Sequence, residues 1–122
     1  KKIKLMLENL STKFIKTKRI LDEVPGLYLH LDIGHSFMYD GMEGIEKYIK
    51  IFRKRLVHIH VHDNDGTDDQ HKEIGKGKIN YKKFVRWLKQ IKYDDTISLE
   101  VFSKDEKPAL RSLKKLKKML KC

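Results

Sequence analysis

The residues best suited to chemistry crowd into one stretch, "LVHIHVHDNDGTDDQHKEIGKG" (56–77), which carries four of the chain's six histidines directly behind an apolar run. Polar groups this dense at the end of a strand cost free energy if buried without partners, so they mark a candidate site. Residues of the same chemical kind close three other apolar runs, which groups Glu8, Asp32 and Glu100 with His60. Each offers a carboxylate oxygen or an imidazole nitrogen, the donors that suit zinc, manganese or magnesium. A second group comprises His35, Asp69 and His71. His35 follows Asp32 by one turn in "DIGH", and the spacing of Asp69 and His71 points both side chains the same way from an extended segment. These three suit a further metal or the orientation of a substrate; a helix cap at His35 and a turn at Asp69 are the structural alternatives.

Neighbouring residues divide between support and contact. His58 precedes His60 by two positions on the same strand face, one layer deeper, and reads as a hydrogen-bonded core histidine. His62 and Asp63, just past the strand, suit either substrate contact or the fixing of a ligand imidazole from behind. His30 reads as structural. The "GKG" at 75–77 fits a turn or a place where backbone approaches a phosphate.

The segments that must position these residues alternate in character. "IKLML" (3–7), "LYLHLDI" (27–33), "LVHIHV" (56–61) and "TISLEVF" (96–102) are short and rich in β-branched and aromatic residues, as strands are. Between and after them, "STKFIKTKRILDEV" (11–24), "GIEKYIKIFRKR" (44–55), "NYKKFVRWLKQIKY" (80–93) and "KPALRSLKKLKKML" (107–120) read as helices. Asn80 is a good N-cap, Pro108 suits a first turn, and Leu110, Leu113, Leu116 and Leu120 recur at helical spacing. The β-α order predicts an α/β fold of parallel strands with outer helices joined by right-handed crossovers. Four such units are half of a (β/α)8 TIM barrel, whose usual length is about 250 residues. With no methionine at position 1, residues 1–122 read as a single domain, the C-terminal four units of a longer barrel whose N-terminal half is absent. Parallel edges left open would call for a second half-barrel or a homodimer to close the fold.

Composition sets outer bounds. Apolar residues at 39% and charged residues at 37% describe an ordinary lysine-rich globular chain. No apolar run approaches the roughly 20 residues of a membrane span, and no signal-peptide pattern opens the chain, so a cytoplasmic protein without a membrane partner is expected. The single cysteine, Cys122, excludes an internal disulfide and a thiolate metal cluster. The net charge of +11 would suit a polyanion, yet the lysines are spread over helix faces and the tail, as on a solvated surface.

"LENLST", "LDIGHSF", "HIHVHDNDGTDDQHKEIGKG" and "SLEVF" resemble the second half of the xylose-isomerase-like TIM-barrel superfamily, which includes sugar-phosphate isomerases and epimerases and endonuclease IV. The resemblance runs from Glu8 to about Phe102. It implies one divalent ion (Mn, Zn, Mg or Co) held by Glu8, Asp32, His60 and Glu100. Glu8 and Glu100 would double as the acid/base pair, passing a proton through an enediolate of a sugar or sugar phosphate, with His35 touching substrate. The family's sugar epimerases carry an arginine soon after the metal-binding histidine, whereas "HVHDNDG" has none, so the particular sugar does not carry over. Endonuclease IV uses the same four positions and a further zinc on the residues matching His35, Asp69 and His71. The resemblance therefore implies, as alternatives, a zinc-dependent apurinic-site DNA endonuclease, or an inactive half-barrel fragment.

Overall fold

The computed structural model describes residues 2–122. The elements run β1 (Met6–Glu8), α1 (Phe14–Glu23), β2 (Tyr28–Asp32), α2 (Ile33–Ile51), β3 (Leu56–Val61), α3 (Tyr81–Gln90), β4 (Thr96–Leu99) and α4 (Lys107–Lys121). The strands form one parallel sheet in the order β1-β2-β3-β4. Sequential order without reversal is how a barrel wall is built, whereas a doubly wound sheet reverses at a switch point. The chain is thus an α/β half-barrel of four β/α units.

Alternation along β2 and β3 sorts the side chains between two faces. Leu29, Leu31, Ile59 and Val61 point outward and are wholly buried under the helices. They join Leu21 of α1, Ile45, Tyr48 and Ile49 of α2, and Phe84 and Leu88 of α3 in one core. The inner face carries the polar set. Register places Glu8 beside His30 and His30 beside His58, and on the next rung Asp32 beside His60 and His60 beside Ser98. Parallel strands are normally apolar on both faces, so a polar inner face is the departure that signals a site.

The helices match expectation in part. Asn80 caps α3 by accepting from the Lys83 amide at 3.1 Å, and Pro108 lies in the first turn of α4. The second helix, read from residue 44, begins at Ile33 immediately after β2 and breaks at Gly41 (φ 64°). In α4, Leu116 is buried, whereas Leu110 and Leu113 remain 51% and 37% exposed; Ser112 is buried instead and its hydroxyl accepts from the Ile74 amide at 3.0 Å. Uncovered apolar side chains gather on the outermost units: Leu5 on the β1 side, Ile15 on α1, and Leu110 and Leu113 on α4. Among the described residues no helix is long and apolar enough to cross a membrane.

The loop after β3 is tied to α4 by Glu73. Its buried carboxylate accepts from Arg111 Nε and Nη2, each at 2.9 Å, and from Lys115 Nζ at 3.2 Å. The Arg111 hydrogen bonds, with Lys115 behind them, hold Glu73 down to about 2 from an ordinary 4.5. A depressed carboxylate stabilises the fold above its unfolded value, and that contribution disappears as pH falls through the folded one. Glu73→Gln should therefore lower the melting temperature by a few degrees at pH 7, and the gap to wild type should close between about pH 4.5 and pH 2 in circular-dichroism melts. A gap independent of pH would mean that the contact does not stabilise through charge.

Candidate metal centre

Asp32 ends β2 and caps α2, its Oδ1 accepting from the His35 amide at 2.9 Å. The cap at this junction is therefore Asp32, and the His35 side chain is left to point into the site. Asp32 has no solvent exposure. His62 Nε2 stands 2.9 and 3.1 Å from its two carboxylate oxygens. Burial pushes this carboxyl up, but the His62 hydrogen bond and charge and the His35 amide prevail and hold it below the usual range. A buried carboxylate is tolerated when it is this well partnered.

Three acids meet one imidazole. His60 Nδ1 lies 3.2 Å from Glu100 Oε2, 3.7 Å from Glu8 Oε1 and 3.9 Å from Asp32 Oδ2. Glu8 comes from β1 and Glu100 from the residue just past β4, its amide donating to Val61 O at 2.9 Å. His60 Nδ1 is buried yet has no hydrogen-bond partner of proper geometry among the described residues. Burial and the nearby Asp32 charge raise the Glu8 carboxyl above its ordinary value. Converging carboxylates around an imidazole nitrogen without a hydrogen bond among the described residues form a donor set a divalent cation would satisfy, so the residues fit a metal.

His35, Asp69 and His71 form the adjoining cluster. His35 Nδ1 is 3.0 Å from Asn9 O, and His71 Nδ1 is 2.7 Å from Glu100 O. With each Nδ1–H donated to a carbonyl, the tautomer leaves both Nε2 atoms as lone-pair donors, the arrangement seen behind ligand histidines. Those atoms face the two oxygens of Asp69, His35 at 3.3 Å and His71 at 3.2 Å. The expected extended segment is corrected here: His71 adopts φ 47°, and this left-handed backbone, not strand alternation, turns it back toward Asp69. Its ring is stacked between His62 at 3.9 Å and Phe102 at 4.0 Å.

The remaining candidates take supporting places. Asp63 is buried and accepts from the amides of Asn64, Gly75 and Ile79, so it organises the loop. "GKG" is correspondingly a turn: the Gly75 amide is given to Asp63, and a Cβ on Gly77 would stand 2.3 Å from Asn64 O. His58 is hydrogen-bonded, its Nε2 2.8 Å from Ser98 Oγ. His30 is pushed down to about 4 by burial and by its neighbours His60 and His58.

Two residues had no signal as site residues in the sequence. Asn9 is buried beneath Glu8, and its amide group donates to Asp32 O at 2.9 Å and accepts from Asp32 N at 2.7 Å. Its place directly after Glu8 in "LEN" was the only hint. Gly34 is required by space, since a Cβ there would stand 1.9 Å from the His62 ring.

A family model described as the xylose isomerase-like TIM barrel matches residues 1–119. The chain belongs to this family. Among solved structures, this xylose isomerase-like chain superposes on a D-tagatose 3-epimerase-like protein with TM-score 0.81 and 32% identity, over 98% of this chain and 47% of that one. A D-allulose 3-epimerase from Methylomonas sp., in complex with D-allulose, aligns with TM-score 0.66 and 28% identity, over 84% of this chain and 36% of that one. The uncharacterized protein MJ1614 of Methanocaldococcus jannaschii is 44% identical over 89 residues, 73% of this chain and 34% of the relative. The xylose isomerase-like segment thus spans about a third of that curated relative and under half of those solved chains.

The geometry around Asp32 can be tested through Gly34. Gly34→Ala should drive the His62 ring off Asp32 and leave a buried carboxylate without its main partner, a loss on the order of 3 kcal/mol. Urea denaturation should show a lower midpoint at unchanged slope. A midpoint equal to wild type would mean that the His62 contact is dispensable.

Proposed function

We propose that this chain supplies the metal centre and the acid/base carboxylates of a divalent-metal-dependent sugar or sugar-phosphate isomerase or epimerase. The observation that carries the reading is the convergence of Glu8, Asp32 and Glu100 on the unpartnered Nδ1 of His60. These four residues would hold Mn²⁺, Zn²⁺, Mg²⁺ or Co²⁺, which when bound polarises the adjacent carbonyl and hydroxyl of a ketose. Glu8 and Glu100 belong to opposite ends of the sheet and flank the space over His60. One carboxylate removes the proton from the carbon bearing the hydroxyl, giving an enediolate; in epimerisation the other, protonated beforehand, donates its own proton to the opposite face, and in isomerisation the first returns the proton it took to the neighbouring carbon. Asp32, buried and held ionised by His62, serves as a ligand, while Asn9 fixes its backbone. The likeness to sugar epimerases supports the substrate class.

A second reading, a zinc-dependent apurinic-site endonuclease, draws on the His35–Asp69–His71 cluster, whose paired Nε2 atoms suit a further ion. Charge placement favours the isomerase. A cavity of about 450 Å³ at the strand ends opposite the carboxylates is lined by Lys4, Arg53, Lys54 and Lys92, with Asp94 and Asp95 among them. The α3–α4 groove, with Lys82, Arg86, Lys89 and Lys118, lies on the outer wall. A nuclease would need such charge beside its metals to hold DNA.

Measured with the barrel complete and Mn²⁺ added, Glu100→Gln should slow exchange of the ketose hydrogen into D₂O by about 10²-fold or more without altering the thermal melt. Undiminished exchange would remove Glu100 from the acid/base pair. His71→Ala should lower the metal count in native mass spectrometry without emptying the site at His60. An unchanged count would reduce the second cluster to substrate contact.

A further inference from the structure

We propose that His30, His58 and His60 form an all-imidazole site for a borderline divalent cation (Zn²⁺, Ni²⁺ or Cu²⁺) on the inner face of the sheet, beneath the carboxylate cluster. One ring nitrogen from each histidine lies within 4.8 Å of the other two. His30 and His58 are cross-strand partners with rings stacked at 4.5 Å, so sharing an ion requires the His30 ring to turn about its side-chain torsion and bring its in-plane lone pair toward that of His58. His60 stands edge-on to both, at 4.0 and 5.1 Å between centroids.

Two observations point to a ligand beyond mere proximity. Nε2 of His30 is buried with no hydrogen-bond partner among the described residues, and a buried imidazole nitrogen normally has one. His58 Nε2 lies 2.8 Å from Ser98 Oγ; in the tautomer that donates Nε2–H to this hydroxyl the ring is fixed and Nδ1 carries the lone pair. An outer hydrogen bond of this kind orients ligand histidines. His60 stands between the two clusters: with the proton on Nδ1, which faces the Glu100 carboxylate 3.2 Å away, the lone pair is on Nε2 at the other side of the ring, so a neutral His60 serves one cluster at a time.

The two clusters would select different metals. Carboxylates suit hard cations such as Mg²⁺ and Mn²⁺, whereas neutral imidazoles suit Cu²⁺, Ni²⁺ and Zn²⁺. A cation on His30 and His58 would bridge β2 to β3 and set the orientation of His60 from below. The proposal concerns binding alone and shares only His60 with the isomerase reading, so a cation on the three imidazoles and one on the carboxylates compete for that ring.

The test is Cu²⁺ titration of the full chain followed by electron paramagnetic resonance, in a Glu8→Gln, His71→Ala background that weakens the other two clusters. One copper per chain with nitrogen couplings from His30, His58 and His60 is expected. Adding His30→Gln or His58→Gln should each weaken copper binding at least tenfold and reduce the number of coupled nitrogens. Mn²⁺ affinity of the otherwise unaltered chain should be unchanged by His30→Gln. Copper coupled to fewer than two histidines in the background protein would overturn the proposal without reference to any further variant. So would equal copper affinity with and without His30 and His58 in chains that circular dichroism shows to be folded.

Discussion

A carboxylate with no access to water stands at the centre of this half-barrel, and much of the local structure serves to keep Asp32 ionised. Desolvation alone would drive it neutral. The opposing groups are the His62 ring from the loop after β3 and the His35 amide from the start of α2, while the Asn9 side chain clamps the Asp32 backbone from the end of β1. Holding Asp32 by side chain and backbone together therefore fixes two strand ends, a helix start and a loop relative to one another. The absence of a side chain on Gly34 belongs to the same arrangement, because it makes room for the His62 ring.

The two candidate clusters are joined by backbone as well as by proximity. His71 Nδ1 leans on the carbonyl of Glu100, and His35 Nδ1 on that of Asn9, the residue after Glu8. Any displacement of the strand ends that carry the two glutamates is thus felt by both imidazoles of the second cluster. The loop from Asp63 to Ile79 is held by its own hydrogen bonds, with Asp63 at its hub and Glu73 fastening it to α4, so it forms a rigid wall beside the site.

Much of this was legible in the sequence because the signals were local. The alternation in "LVHIHV" maps directly onto an outward apolar face and an inward polar one, and β3 spans those six residues. The strand-end residues Glu8, Asp32, His60 and Glu100 converge because parallel strands of one sheet bring their C-terminal ends together. What stayed hidden depends on neighbours distant in the chain. The leucines of α4 announced a helix but not which of them would be covered, since that depends on what packs beside it. The start of α2 at Ile33 was obscured by Gly34, a poor helix former whose purpose is space for His62. Asn9 looks like any loop asparagine until Asp32 is placed opposite it, and the left-handed turn at His71 leaves no trace in residue type.

The Asn9 clamp has a further consequence for β1. That strand pairs over three residues, Met6 to Glu8, which is too short for apolar burial alone to define its alignment with β2. Sliding it by one position would turn Leu7 toward the polar interior and Glu8 into the layer beneath the helices. By meeting both the N–H and the C=O of Asp32 with one planar amide, Asn9 continues the ladder for one more rung, in side-chain form. It works as an index pin: a slipped strand forfeits both hydrogen bonds at once, so the alignment that brings Glu8 beside His60 is set by the side chain of the residue after it.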